Sequence, residues 1–142
     1  MFNDSEFPAS AESLMNPPGK SKLDEQTAKE WRKIVWKRPR EFIGERFIIF
    51  DQNIDSCDII QGTLGNCYFL SALSAMAEYP DRVKRLFTTG NLTNVNFTGC
   101  YAVKFHINGK VREVLLDDLF PCLPSRSSST GFVMAFSKSR GG

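Results

Sequence analysis

The sequence predicts an α+β fold, mainly helical, in which a buried central helix starts at Cys67 and a small antiparallel hairpin follows near residues 101–116. Three observations predict it. Apolar residues after Cys67 recur at helical spacing, the pattern changes to period two beyond Gly99, and Asn108-Gly109 supplies a hairpin turn. With 142 residues, 42% of them hydrophobic and 24% charged, the chain can bury one core of ordinary size.

Residues 1–23 contain Pro8, Pro17 and Pro18 and few aliphatics, and so are expected to form an extended N-terminal arm pinned by Phe2, Phe7 and Leu14. The main body, 24–142, begins with a helix predicted from Asp24 to about Trp36. Asp24 caps it, Glu25 suits the first turn, and Pro39 lies beyond its end. Phe47 to Phe50 is too short an apolar run for a helix and is expected to be a buried strand or extended segment. From Cys67, the residues Phe69, Leu70, Leu73, Met76 and Ala77 mark one helix that runs uninterrupted to Pro80. It is rich in Ala and Leu and poor in charge, which predicts burial on most sides. Asp81 to Phe87 is a second short helix, with an acid near its start and Arg85 near its end. Tyr101, Val103 and Phe105 then alternate with Ala102, Lys104 and His106, and Val111 to Leu116 returns after the turn. The tail from Pro124 is Ser-rich with few aliphatics.

Several function classes are set aside by composition. A net charge of +2 is too small to imply nucleic-acid binding. The compact basic run Arg32, Lys33, Lys37, Arg38 and Arg40 is expected to be a solvated helix face or loop. The N-terminus has early acids and no apolar signal region, and no run approaches the roughly 20 apolar residues of a transmembrane segment. Cys57, Cys67, Cys100 and Cys122 show no CxxC spacing. A cytoplasmic protein with reduced thiols is the expectation.

Gln61-Gly-Thr-Leu-Gly-Asn-Cys67 places a thiol at the first turn of a helix, directly after a glycine-bearing loop. A helix N-terminus carries about half a positive charge from unsatisfied N–H groups, a field that favours thiolate over thiol. The Cys67 amide can donate to an oxyanion that develops on an attacked carbonyl, and the Gln61 side chain can be a second donor; one such donor contributes about 2.7–4 kcal/mol to the transition state. An ordinary cysteine at a helix start is more often a small hydrophobe, so local physics alone leaves packing and nucleophile both open.

The string from Asp58 to Pro80, DIIQGTLGNCYFLSALSAMAEYP, closely resembles the active-site stretch of the calpains. Phe2-Asn-Asp4 through Phe7-Pro8 resembles that family's opening F-x-D-x-x-F-P, and Trp36-Lys-Arg-Pro39 its W-x-R-P. Gly99-Cys-Tyr-Ala-Val, Asn108-Gly109 and Leu116-Asp-Asp-Leu-Phe-Pro121 resemble its following hairpin, and Phe136-Ser137 the segment before its next helix. The resemblance covers nearly the whole chain. It implies the first, Cys-bearing lobe of a papain-like cysteine protease core, with Cys67 as nucleophile and Gln61 as oxyanion donor. It further implies a calcium-dependent cytoplasmic endopeptidase that makes limited cuts in protein substrates. Calcium binds both lobes of such a core. Here Asp58 matches a side-chain ligand, Asp51 and Asn53 fall where backbone carbonyls bind, and a further acidic ligand lies just past residue 142, so this calcium site is expected to be incomplete.

The same resemblance places the catalytic His and Asn in a second lobe, and papain-like enzymes carry them roughly 130–150 residues after the Cys. Only 75 residues follow Cys67 here, and the single histidine, His106, is predicted on a strand beside a turn, structural or solvent-facing. The ending Ser139-Arg-Gly-Gly142 suggests a truncation, partial gene model or short isoform. The expected function is therefore that of a calpain-type protease component, inactive as this fragment alone and completed by the second lobe or a partner chain. The alternative is a non-catalytic module that binds a partner.

Overall fold

The computed structural model describes residues 1–15, 25–45, 47–48, 54–61, 66–88 and 97–138. Within them the helices are α1 (Ala11–Met15), α2 (Glu25–Trp31), α3 (Pro39–Phe42), α4 (Cys67–Ala77) and α5 (Pro80–Leu86), with a 3₁₀ turn at Ser56–Asp58. The strands are β1 (Val35–Lys37), β2 (Ile60–Gln61), β3 (Cys100–Ile107), β4 (Lys110–Asp117), β5 (Phe120–Pro124), β6 (Phe132–Met134) and β7 (Ser137–Lys138). The fold is α+β, but not mainly helical: of the described residues 33% are helix and 28% strand.

All strand pairs are antiparallel. They form a three-stranded sheet β1-β5-β6, the hairpin β3-β4, and the two-residue pair β2-β7. The hairpin follows its sequence signal closely. Ile107 pairs with Lys110 across a turn in which Asn108 and Gly109 hold φ of 51° and 73°, the positive values that an Asn-Gly turn adopts at low cost. Helix α5 starts at Pro80, whose fixed φ suits a first helical position. Beyond α5 the chain bridges onto the hairpin, Phe87 opposite Val103, and the Thr88 amide donates to the Ala102 carbonyl at 2.9 Å.

The predicted helix from Asp24 overran. Within the described residues, α2 stops at Trp31 and Val35–Lys37 is a strand paired with Phe120–Cys122. β-branched Val35 and aromatic Trp36 suit a pleated surface, and the cross-strand partner decides their state. Trp31 meets Phe136 edge-on, with ring centroids 5.3 Å apart. Of the apolar run at 47–50, Phe47 and Ile48 carry no strand and Ile48 is exposed; the other two residues lie outside the described set.

Helix α4 begins at Cys67 as predicted, but it is not buried on most sides. Its main neighbours are α5 and the 3₁₀ turn. Ala77 alone of its residues is buried, while Tyr68 and Phe69 are exposed. The apolar sequence expresses a face that the described elements leave uncovered.

Among the described residues the buried ones are Pro39, Phe42, Ala77, Gly99, Ala102, Val103, Cys122 and Ala135, together with Arg38 and Asp118. Arg38 corrects the expectation of a solvated basic run: its guanidinium Nη1 pairs with Asp118 beneath the surface. Nη2 donates at 2.8 Å to both the Phe2 carbonyl and Asn3 Oδ1. Its backbone amide donates to Glu41 at 2.8 Å at the start of α3, and Lys37 Nζ meets the same carboxylate at 2.9 Å. These bonds, that of the Arg38 amide first, hold the Glu41 carboxyl below the usual carboxylate range.

Cys122, between Val35 of β1 and Met134 of β6, is fully buried. Burial, assisted by the nearby Glu41 charge, pushes its thiol from 9.0 up to about 11. Between those values the unfolded chain releases this proton while the native chain keeps it, so stability falls as pH rises. Urea unfolding from pH 8.5 to 11 is expected to lose up to about 2–3 kcal/mol through this group. Cys122→Ala should be shallower over the same interval, and an equal slope in both proteins would show that Cys122 does not carry the effect.

Candidate functional site

Cys67 is the first residue of α4, an 11-residue helix, and is exposed. The helix starts because the Phe69 and Leu70 amides close onto the Asn66 carbonyl at 2.9 and 3.1 Å. Asn66 is a favourable residue type at this position, yet its side chain makes no capping bond. Its Oδ1 is instead buried without a partner among the described residues. Among the described residues no side chain caps the first turn, so the partial positive charge of the helix end is not offset there by a capping oxygen.

Gln61 ends β2, where the chain pairs with Ser137 of β7. The tail strand thus fixes the backbone from which Gln61 projects. Its side chain, like residues 62–65, lies outside the described residues, so a Gln61–Cys67 pairing is not part of the observed geometry. Among the other thiols, Cys57 is exposed in the 3₁₀ turn, Cys100 is half-buried at the start of β3, and Cys122 is buried.

His106 lies exposed near the turn of the hairpin, opposite Val111. Asp117 and Asp118 lie at the end of β4 and beyond, where they bind the N-terminal residues and Arg38. Neither acid has a described contact with Cys67.

Of the calcium residues, Asp51 and Asn53 lie outside the described set. Asp58 is exposed and closes the 3₁₀ turn, its Oδ2 accepting from the Asp55 amide at 3.0 Å, while Asp55 Oδ1 accepts from the Cys57 amide at 2.9 Å. Among the described residues no group of three or more His, Cys, Asp or Glu could hold a metal ion. Asp58, committed in part to this turn, does not by itself fit a cation that takes six to eight oxygens. No helix of the described residues is long and apolar enough to cross a membrane.

Two features escaped the sequence reading. Asn66 was legible only as part of Gly-Asn-Cys, and its failure to cap depends on side-chain direction. The Arg38–Asp118 pair joins residues 80 apart in sequence. Its available signal was that Trp36-Lys-Arg-Pro39 and Leu116-Asp-Asp-Leu-Phe-Pro121 belong to one set of motifs.

Comparison with known proteins bears on the whole chain. Residues 2–140 match the Calpain family cysteine protease domain. The chain is 33% identical over 121 residues to the Calpain-type cysteine protease ADL1 of Oryza sativa subsp. japonica, covering 85% of this chain and 5% of that protein. It is 33% identical to Calpain clp-4 of Caenorhabditis elegans and 31% identical to Calpain-12 of Homo sapiens; 85% of this chain is covered in each case, against 15% and 16% of the relatives. It spans a small fraction of these relatives' lengths. The match nevertheless runs through the Cys67 helix, the hairpin and the strands that flank them, and on it the chain belongs to the calpain family of cysteine proteases.

Proposed function

We propose that Cys67 is the nucleophile of a cysteine endopeptidase acting on proteins, with its own backbone amide and the Gln61 side chain as oxyanion donors. The observation that carries this is an exposed cysteine at the first residue of α4, whose N-cap residue Asn66 makes no side-chain capping bond. Attack by sulfur on a peptide carbonyl puts negative charge on the carbonyl oxygen, and donors fixed in advance stabilise it without reorganisation. The proton of the thiol has to pass to a base, and the same base returns a proton to the leaving amine. A His oriented by an Asn, supplied by a second lobe, is the proposed source. Cytoplasmic location belongs to the same proposal.

The first test is the order of alkylation of the four cysteines by iodoacetamide at neutral pH, followed by mass spectrometry. Cys67 is expected first, because the first-turn amides stabilise charge on the attacking sulfur. Cys122 is expected last, because it is buried and its thiol is pushed up to about 11. Faster labelling of Cys57, which is also exposed, would count against a special role for the helix end.

Calcium dependence is proposed only for a core with the full ligand set. The 142-residue chain, with Asp58 as its described acid there, is expected to bind calcium weakly or not at all. Sub-micromolar affinity by calorimetry would show that residues 51–58 build a complete site. A second reading, a non-catalytic protein-binding module, is favoured by the exposed Tyr68 and Phe69 beside Cys67. Unaltered partner capture by Cys67→Ser would support that reading, and loss of catalysis by Cys67→Ser in a polypeptide that also carries the second lobe would support the first.

A further inference from the structure

Four backbone and side-chain groups of residues 2–4 are held by groups far away in sequence. The Phe2 amide donates to the Thr98 carbonyl at 2.7 Å. Arg38 Nη2 forks between the Phe2 carbonyl and Asn3 Oδ1. The Asp4 amide donates to Asp117 Oδ2 at 2.9 Å. Each receiving residue with a charge is also anchored in the body. Arg38 pairs with buried Asp118 and donates its amide to Glu41, and Asp117 Oδ1 accepts the Leu119 amide at 3.1 Å. Gly99 closes the floor: its φ is +68°, and a Cβ there would lie 2.5 Å from both Arg38 Nη1 and Asp118 Oδ1. Arg38 and Asp117 thus keep their places by bonds that do not involve the arm.

The arm for its part is shaped locally. Asp4 Oδ1 accepts the Glu6 and Phe7 amides at 2.9 and 3.0 Å, which turns the chain away after the third bound residue. Asn3 is exposed and Phe2 and Asp4 are half-buried, so seating is polar rather than a matter of core packing.

We propose that Arg38, Thr98, Gly99, Asp117 and Asp118 form a preorganised peptide cradle, whose occupant is the chain's own segment Phe2–Asp4 and which accepts the same segment in trans. Two of the three recognised positions are read through the backbone. The third, Asn3, is read by its amide oxygen, so the ligand class is a short extended peptide with Asn or another side-chain carbonyl at the middle position. Preorganisation matters because a receptor already held in its bound shape loses little freedom on binding. The arm occupies the cradle as part of the same chain, so its seating is an intramolecular event.

The test uses the full 142-residue chain carrying Asn3→Ala, followed by NMR and amide exchange. Exchange of the Asp4 amide is expected to quicken about tenfold, the factor for one bond to a charged donor, while the hairpin amides of β3 and β4 keep their rates. The Thr98, Gly99 and Asp117 cross-peaks should shift. A synthetic peptide of residues 1–7, MFNDSEF, at millimolar concentration should return them toward wild-type positions, and the same peptide with Ala at its third position should not. Unchanged cross-peaks and exchange in Asn3→Ala would overturn the cradle, as would failure of the peptide to restore the shifts. Acceleration of the β3–β4 amides together with Asp4, or failure of Asn3→Ala to fold, would overturn it differently, by showing the arm to be part of the core. Arg38→Lys supplies the second variant: it keeps the charge but loses the fork, and it should lose peptide rescue.

Discussion

Replacing Gly99 with alanine is expected to cost about 4–7 kcal/mol of stability, a large share of the roughly 5–15 kcal/mol that holds a small domain folded. Two costs combine. A side chain at φ +68° lies in the left-handed region, which costs an L-residue roughly 1–2 kcal/mol. The new Cβ would also lie 2.5 Å from both Arg38 Nη1 and Asp118 Oδ1, closer than real Cβ contacts come. Arg38 and Asp118 are each buried, so separating them strands charge in the interior, and breaking such a pair costs about 3–5 kcal/mol. Gly109 separates the two costs. Its φ is +73°, but nothing lies within 4 Å of a Cβ placed there, so Gly109→Ala should lose only the backbone part, about 1–2 kcal/mol. Urea unfolding of both variants against wild type checks the difference. Equal losses at the two positions would mean that the ion pair moves aside without penalty.

The contrast between those glycines also shows what the sequence could and could not convey. Gly109 follows Asn108 inside an alternating pattern, and that local signal predicts its turn and the strands on either side. Gly99 precedes the same hairpin with no such signal, because what constrains it is an ion pair between Arg38 and Asp118 that only the assembled chain brings together. The same division runs through the fold. Helices α4 and α5 were legible from spacing and from Pro80. Strand β5 was not, since Pro121 and Pro124 argue against a central strand. It is central all the same, paired with β1 and β6; where Pro121 has no amide to give, its carbonyl still accepts the Ala135 amide at 2.9 Å. Strands β2 and β7 are two residues each, too short for any period to register. In the candidate site, the helix start at Cys67 could be read directly. The open cap could not, because Asn66 is a residue type that ordinarily closes it.

A polypeptide of these 142 residues, assayed alone, is expected to show no peptidase turnover that depends on Cys67. On the proposed reading, the exposed Cys67 and its backbone amide at the start of α4 would supply a nucleophile and one oxyanion donor. They do not supply a group that accepts the thiol proton and returns one to the leaving amine, and that exchange is needed in both halves of the reaction. Within the sequence His106 is the sole histidine, and it stands exposed near the hairpin turn, opposite Val111. Asp117 is engaged by the Asp4 and Leu119 amides and Asp118 by Arg38, so neither carboxylate is a free base beside Cys67. Catalytic groups that work as a unit fail together: loss of one key member of a triad costs roughly as much as loss of all, on the order of 10⁶ in kcat. A fluorogenic peptide or casein assay with calcium, run on wild type and on Cys67→Ser, is expected to give the same baseline for both. Turnover in wild type that disappears in Cys67→Ser would mean that this chain holds a working base. His106→Ala would then be the deciding variant, since the structure offers no other imidazole to carry the proton.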